Sequence, residues 1–351
     1  MDLPRLRLAA QRLLGSPHDS PEGVVQSLLA VQAQDFLGAT WAVAQRTQRG
    51  LGSSVDEAYQ AGRILRTHVL RPTWHFVAPS DLRWLLALTA PRIHAQSASY
   101  YKKAGLDDAA AKQSATRIAR ALSAGRHLTR AELARAIDPK DKALSGNRLA
   151  WFIMRAELDG LIVSGKMRGK QHTYALLEER APAATALSRE DALTRIAIGY
   201  VSGHGPAQAE DLAWWAGLTK SDAERGLAGA RGVLEPLRLG EQRYWALPGS
   251  RRAPAGPRVH LLPSYDELIV AFKDRSAMID PGIDPSTELL LGQAIVSGGR
   301  VIGSWTRTLR AKEVVISAQL LRPLSTAESE GLAAAAARYG HSLGLSALAA
   351  C

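Results

Sequence analysis

Residues 127–137, HLTRAELARAI, and residues 207–217, AQAEDLAWWAG, share a polar start, an acidic residue, a Leu-Ala step and an apolar continuation. Self-similarity of this kind means that one supersecondary unit has been used more than once. Around the first copy, helical spacing runs from Asp108 to Ala124. Thr129 then stands three residues before Glu132 as a capping box, and a further helix from Ser145 closes at Gly160. LIVSGKMRGKQHTYALL, residues 161–177, reads as two strands joined near Arg168 and Gly169. Three helices followed by a hairpin is the order of a winged helix-turn-helix. The same order returns in 189–201, 207–216, 219–229 (capped by Thr219) and the hairpin 232–248. A looser copy runs through 6–14, 20–30, 36–47 and the strand-like ILRTHVLRPTWHFV, residues 64–77.

After the linker 249–257, GSRRAPAGP, the pattern turns to strands: VHLLP, ELIVAF, QAIVSGGRVIGSWT and EVVISAQLL, with Gly298 and Gly299 as a two-residue turn, then a helix near 326–339. The expected fold class is therefore α+β: three tandem winged-helix units (1–105, 106–184 and 185–250) and a C-terminal antiparallel β-barrel-like domain with a terminal helix (257–351). A length of 351 residues fits several small cores better than one.

Composition narrows the partner. Forty-four Lys and Arg against 33 Asp and Glu leave a net charge of +11. Residues 1–180 hold 26 basic and 16 acidic side chains, and the remainder 18 and 17, so the excess sits in the first half. That is the charge balance of a chain that meets nucleic acid. No apolar run approaches the roughly 20 residues of a membrane span, so no membrane is expected. The N-terminal residues do not read as a secretion signal, and the one cysteine, Cys351, allows neither an internal disulfide nor a cysteine-based zinc finger; a cytoplasmic protein is expected.

Among the chemistry-bearing residues, the hairpin tip Lys166, Arg168, Lys170, Gln171 and His172 has no acidic neighbour between Gly160 and Leu177, and is expected to reach phosphates or a groove. A second acid-free stretch, 58–80, contributes Arg71 and His75 as expected DNA contacts. VQAQD, residues 31–35, places Gln32 and Gln34 at i and i+2: they face one cavity if the segment is extended and diverge if it is helical. No matching carboxylate cluster accompanies His68 and His75, and no GxSxG, GxxxxGK[ST] or GxGxxG occurs, so neither a metal nor a cofactor is expected. Asp266, Glu267, Asp274 and Arg275 in LLPSYDELIVAFKDR, residues 261–275, read as structural ion pairing that holds the tail to the preceding units.

Taken together, VQAQD, LRPTWHFVAPSDL (70–82), LLPSYDELIVAFKDR and GGRVIGSWTR (298–307) resemble the tandem winged-helix DNA-binding family that includes the AlkZ-like DNA glycosylases. The resemblance runs from about residue 5 to 340. It implies a concave DNA channel and monofunctional excision of alkylated purines from double-stranded DNA, including bulky N7-alkylguanine adducts and crosslinks. The family's catalytic pattern, Gln, an apolar residue, then Gln or Asp, falls on Gln32, Ala33 and Gln34. Asp35 lies one position beyond it.

The chemistry suits two amides. N7-alkylation leaves a cationic purine that departs without a protonating acid, so positioning a water on C1′ and stabilising an oxocarbenium-like sugar suffices. Lys166, Arg168 and Lys170 are then expected to hold phosphates, with Gln171 and His172 in the groove and the protein acting as a monomer. The alternative is a non-catalytic winged-helix DNA-binding protein or transcriptional regulator, which more often works as a two-fold dimer.

Overall fold

The computed structural model describes residues 1–138, 141, 144–280 and 290–350. The first segment comprises α1 (Leu3–Ala10), α2 (Pro21–Leu28), β1 (Ala30–Gln32), α3 (Phe36–Ala44), α4 (Gly52–Ala61), β2 (Leu65–Val69), β3 (Arg71–Val77) and the 25-residue α5 (Pro79–Lys103). Next come α6 (Asp108–Leu122), β4 (Leu128–Thr129), α7 (Arg130–Ile137), α8 (Gly146–Leu158), β5 (Ile162–Ser164), β6 (Thr173–Leu176) and α9 (Leu177–Arg180). They are followed by α10 (Arg189–His204), α11 (Ala209–Ala216), α12 (Lys220–Gly229), β7 (Glu235–Leu239) and β8 (Gln242–Ala246). The tail carries β9 (Val259–Leu262), α13 (Glu267–Val270), β10 (Ala294–Ser297), β11 (Arg300–Leu309), β12 (Glu313–Leu320), α14 (Thr326–Leu343) and β13 (Ser346–Ala350). The fold is α+β, and among the described residues no helix is long and apolar enough to cross a membrane.

Local signals explain most starts and stops. The Thr129 hydroxyl accepts from the Glu132 amide while Glu132 Oε2 accepts from the Thr129 amide at 2.7 Å, which is the capping box its spacing predicts. Thr219 likewise accepts from the Asp222 amide at 3.1 Å to start α12. Three sheets follow antiparallel register: β1-β3-β2, β4-β6-β5 and β7-β8.

The fourth sheet, order β13-β12-β11-β10-β9, is a curled half-barrel. Its last strand pairs in parallel with β12 and had no counterpart in the sequence reading. ELIVAF is not the expected strand either. Asp266 accepts the Leu268 amide at 2.9 Å and starts one helical turn there. Helix α5 also runs through Pro91, where a break would be the usual consequence of a missing N–H.

The first segment and the tail share one core. Val24, Val31, Trp41 and Phe76 pack with Leu261, Trp305, Ile316 and Tyr339. Both indoles find acceptors on β9: Trp41 Nε1 donates to the Leu261 carbonyl at 2.7 Å and Trp305 Nε1 to the Leu262 carbonyl at 2.8 Å. A buried fork completes the junction, Arg46 donating to both oxygens of Asp266 at 2.7 and 3.0 Å. Asp266 thus plays the structural role expected of its motif.

Candidate active site

Leu29, at φ +59°, ends α2 and turns the chain into β1. The sequence places VQAQD between two helical runs, and the structure resolves it as a strand edge. Gln32 pairs with His75 of β3, which pairs on its other side with Thr67 of β2, so the three side chains form one row across the sheet. The extended path continues past the strand, because the Ala33 amide donates to the Trp74 carbonyl at 2.7 Å and the Ala33 carbonyl accepts from Arg66 Nε at 2.9 Å. Gln32 is buried, whereas Gln34 is exposed.

Beneath this segment lies Glu267, 1% exposed. Its Oε1 accepts the Gln32 backbone amide at 2.7 Å, its Oε2 accepts Trp215 Nε1 at 2.9 Å, and His204 Nε2 stands 3.3 Å away. Burial pushes the carboxyl pKa upward, but the His204 ring and the Gln32 amide outweigh it and hold the group below the ordinary glutamate range. Glu267 is therefore a buried anion clamped to the backbone of the QAQ segment. The sequence reading grouped it with Asp266 as structural pairing, yet the two neighbours turn opposite ways.

Several buried polar atoms on this sheet have no protein partner: Gln32 Oε1, Thr67 Oγ1, Arg71 Nε, Thr73 Oγ1 and His75 Nε2. Buried polar atoms are otherwise almost always paired, so a concentration of free ones marks a place built to meet a ligand or water.

His75, expected from the sequence to contact DNA, presents no exposed surface. It is fully buried in the middle strand, and burial, with Arg71 beside it, lowers its pKa to about 3, leaving the ring uncharged. His260 on β9 is held near the same value by burial and by Arg338 and Arg46. Both rings titrate near 6.5 when unfolded, so the stability they confer is complete above that pH and falls as pH drops toward 3. Each is expected to cost on the order of 2 kcal/mol at pH 5. Thermal melts at pH 7.5 and 5 should show a clearly lower Tm in acid; equal values would contradict these assignments.

The basic hairpin is less free than its own sequence suggests. Lys166, Arg168, Lys170 and Gln171 are exposed, with Arg168 and Gln171 bridged across the tip. Glu132, however, arrives from α7 and takes Arg168 Nη1 at 2.8 Å, while Arg168 Nη2 donates to the His127 carbonyl at 2.7 Å. The absence of acidic residues along the hairpin did not exclude one reaching it through space. His172 is half-buried with its ring 4.8 Å from that of Phe36, the first residue of α3, and burial with Arg66 nearby lowers its pKa to about 4.

The base of the hairpin and the QAQ segment therefore adjoin. On the side of the hairpin that faces α7 and α8, a groove of about 660 Å³ is lined by Arg66, Trp74, Arg130, Gln171, His172 and Tyr174, without a residue of the QAQ segment itself. Arg66 lies 4.5 Å over the Trp74 ring. Arg71 stands apart, at the start of β3, with its guanidinium toward Trp214.

Trp74, His204 and Trp215 carry no signal in the sequence, and Arg66 stands out there only as one basic residue of the acid-free stretch 58–80. The adjacency of two carboxylates at the head of the otherwise apolar DELIVAF run, residues 266–272, was the available signal for Glu267.

No curated protein sequence matches this chain. Among solved structures, Streptomyces sahachiroi DNA glycosylase AlkZ shares 20% sequence identity with a TM-score of 0.80, covering 99% of this chain and 98% of that one. That likeness carries the fold. The model of the family described as "DNA glycosylase AlkZ-like" matches residues 25–342, which takes in the QAQ strand, the hairpin, the Glu267 turn and strands β9 to β12 of the half-barrel. The chain belongs to the AlkZ-like DNA glycosylases, DNA-binding hydrolases that act on N-glycosyl bonds.

Proposed function

We propose that the chain is a monofunctional glycosylase for alkylated purines of the N7-alkylguanine type, bulky adducts and crosslinks included, releasing the base and leaving an abasic site in double-stranded DNA. In this reading three winged-helix units and the C-terminal sheet form the DNA-binding face, and the protein acts as a monomer. The observation that carries it is the Gln32 carbonyl oxygen, buried without a protein partner above an ionised Glu267 and beside a neutral His75.

The chemistry follows from that set. An N7-alkylated purine leaves with the electrons of the glycosidic bond and becomes neutral, so it needs no acid; His75 is already deprotonated at neutral pH and supplies none. The carbonyl oxygens of Gln32 and Gln34 accept hydrogen bonds from the attacking water and orient it toward C1′. The new C–O bond forms at C1′, and the surplus proton of the water passes to solvent, because an amide cannot act as a base at this pH. The negative charge of Glu267 favours the positive charge that develops on the sugar, and its clamp on the Gln32 amide holds the backbone still. Unmodified purines, whose bond is not activated, are left intact.

Lys166 and Lys170 hold phosphates from the exposed hairpin, while Arg168 does so only by giving up Glu132. Each phosphate neutralised contributes a slope of about 0.9 in log affinity against log salt. Lys166→Ala and Lys170→Ala are each expected to reduce that slope by nearly this amount, and Arg168→Ala by clearly less. Equal reductions for all three would contradict the pairing of Arg168.

The substrate reading is tested by incubation with a duplex bearing one N7-methylguanine, followed by alkali. A strand break at the lesion and none in the unmodified duplex is expected. An intact lesion strand would refute it.

A further inference from the structure

Adjacent positions on α11 separate two tryptophans. Trp215 is fully buried under Glu267, whereas Trp214 is 43% exposed. The exposed ring is not loose, because Trp214 Nε1 donates to the Val270 carbonyl at 3.2 Å. The end of α11 also cannot shift: a Cβ on Gly217, at φ +64°, would stand 2.3 Å from the Leu70 carbonyl oxygen, so the helix terminus is pressed onto the turn between β2 and β3. That contact sets Trp214 beside Arg71.

The guanidinium carbons of Arg71 and Arg275 each lie 5.8 Å from the Trp214 ring centroid. Trp214 and Arg71, but not Arg275, line a groove of about 470 Å³ together with Arg92, Gln96, Glu210, Lys220 and Lys273. Lys220 is occupied by Glu210 and Glu224. Among the described residues, Arg71, Arg92, Lys273 and Arg275 have no carboxylate within ion-pair distance. A partly exposed indole with unpaired cations over and beside it is the combination that holds unstacked bases and their phosphates.

We propose that Trp214 with Arg71, Arg92, Lys273 and Arg275 forms a second DNA subsite, in which an unpaired or destacked nucleobase lies on the indole and the flanking phosphates meet the four cations. The subsite rests on the glycosylase reading and extends it. Arg71 precedes His75, the partner of Gln32, by four residues of strand, roughly 13 Å at about 3.3 Å per residue. At about 3.4 Å per step along one strand this is roughly four base steps. The platform thus takes a base from the distorted DNA flanking the lesion.

The test measures binding of the full chain to two undamaged labelled duplexes, one fully paired and one with a single unpaired base, over a series of salt concentrations. Wild type is expected to prefer the duplex with the unpaired base. Trp214→Leu should weaken that complex about tenfold while leaving the paired duplex and the salt slope nearly unchanged, and Trp214→Phe should retain most of the preference. Arg92→Ala and Lys273→Ala should each lower the salt slope by about 0.9 on both duplexes. Trp214→Leu binding both duplexes as wild type does, or losing affinity equally on both, would overturn the proposal. Because no excision is measured, a protein that keeps the preference but leaves N7-methylguanine in place would refute the substrate reading alone.

Discussion

Glu267→Ala is expected to cost about 3 kcal/mol or more of folding stability and to slow excision at least a hundredfold. The substitution leaves the Gln32 amide, Trp215 Nε1 and the His204 ring buried without an acceptor. It also releases the backbone of the QAQ segment and removes the anion that accepts its amide. A lower Tm alone would mark a structural residue, so the informative readout is kinetic. At a temperature where the variant is folded, DNA affinity should stay near wild type while the single-turnover rate falls, because Glu267 positions the catalytic segment without touching phosphates. Glu267→Gln keeps one carbonyl for the Gln32 amide but must turn an NH2 toward the Trp215 N–H, and its rate should lie between the two. An alanine variant that is folded and excises at the wild-type rate would remove Glu267 from the mechanism.

Gln34→Ala and Gln32→Ala are each expected to lower the single-turnover rate of N7-methylguanine excision by about a hundredfold, the cost of losing one group that holds a reactant in place. Their effects on stability should differ. Gln34 is exposed, and its loss should leave Tm unchanged; Gln32 is buried, and its loss should lower Tm modestly. On the proposed mechanism, in which both amides act on one water, the double variant should be little slower than either single one. A Gln34→Ala protein as active as wild type would end the assignment of a paired-amide site.

How much of this was legible in the sequence follows the range of each interaction. The Thr129 and Glu132 cap and the Thr219 cap are made within three residues and could be read directly. Gln32 and Gln34 could be singled out as a pair, but their strand could not, because its ladder partner His75 is 43 residues away in sequence and the flanking runs are helical.

The same distance hid the charges. Glu132 reaches Arg168 from another helix, so an acid-free stretch was not an unneutralised one. Arg71 and His75 looked alike as basic residues on one strand. The middle position in a three-stranded sheet buries His75, while Arg71 at the strand start keeps its head toward Trp214. For Asp266 and Glu267, composition could say only that two carboxylates were present. One turns to Arg46 and locks the two ends of the chain together, and the other turns to the Gln32 amide.

The central claim is that two neutral amides over a permanently ionised carboxylate excise a base that needs no acid. The pH dependence of the single-turnover rate on an N7-methylguanine duplex between pH 6.5 and 8.5 tests it most directly. His75, with its pKa near 3, and Glu267, held below the usual carboxylate range, do not change state in this interval. A flat profile is therefore predicted. A bell, or a limb showing that one group must gain or lose a proton within that interval, would contradict it.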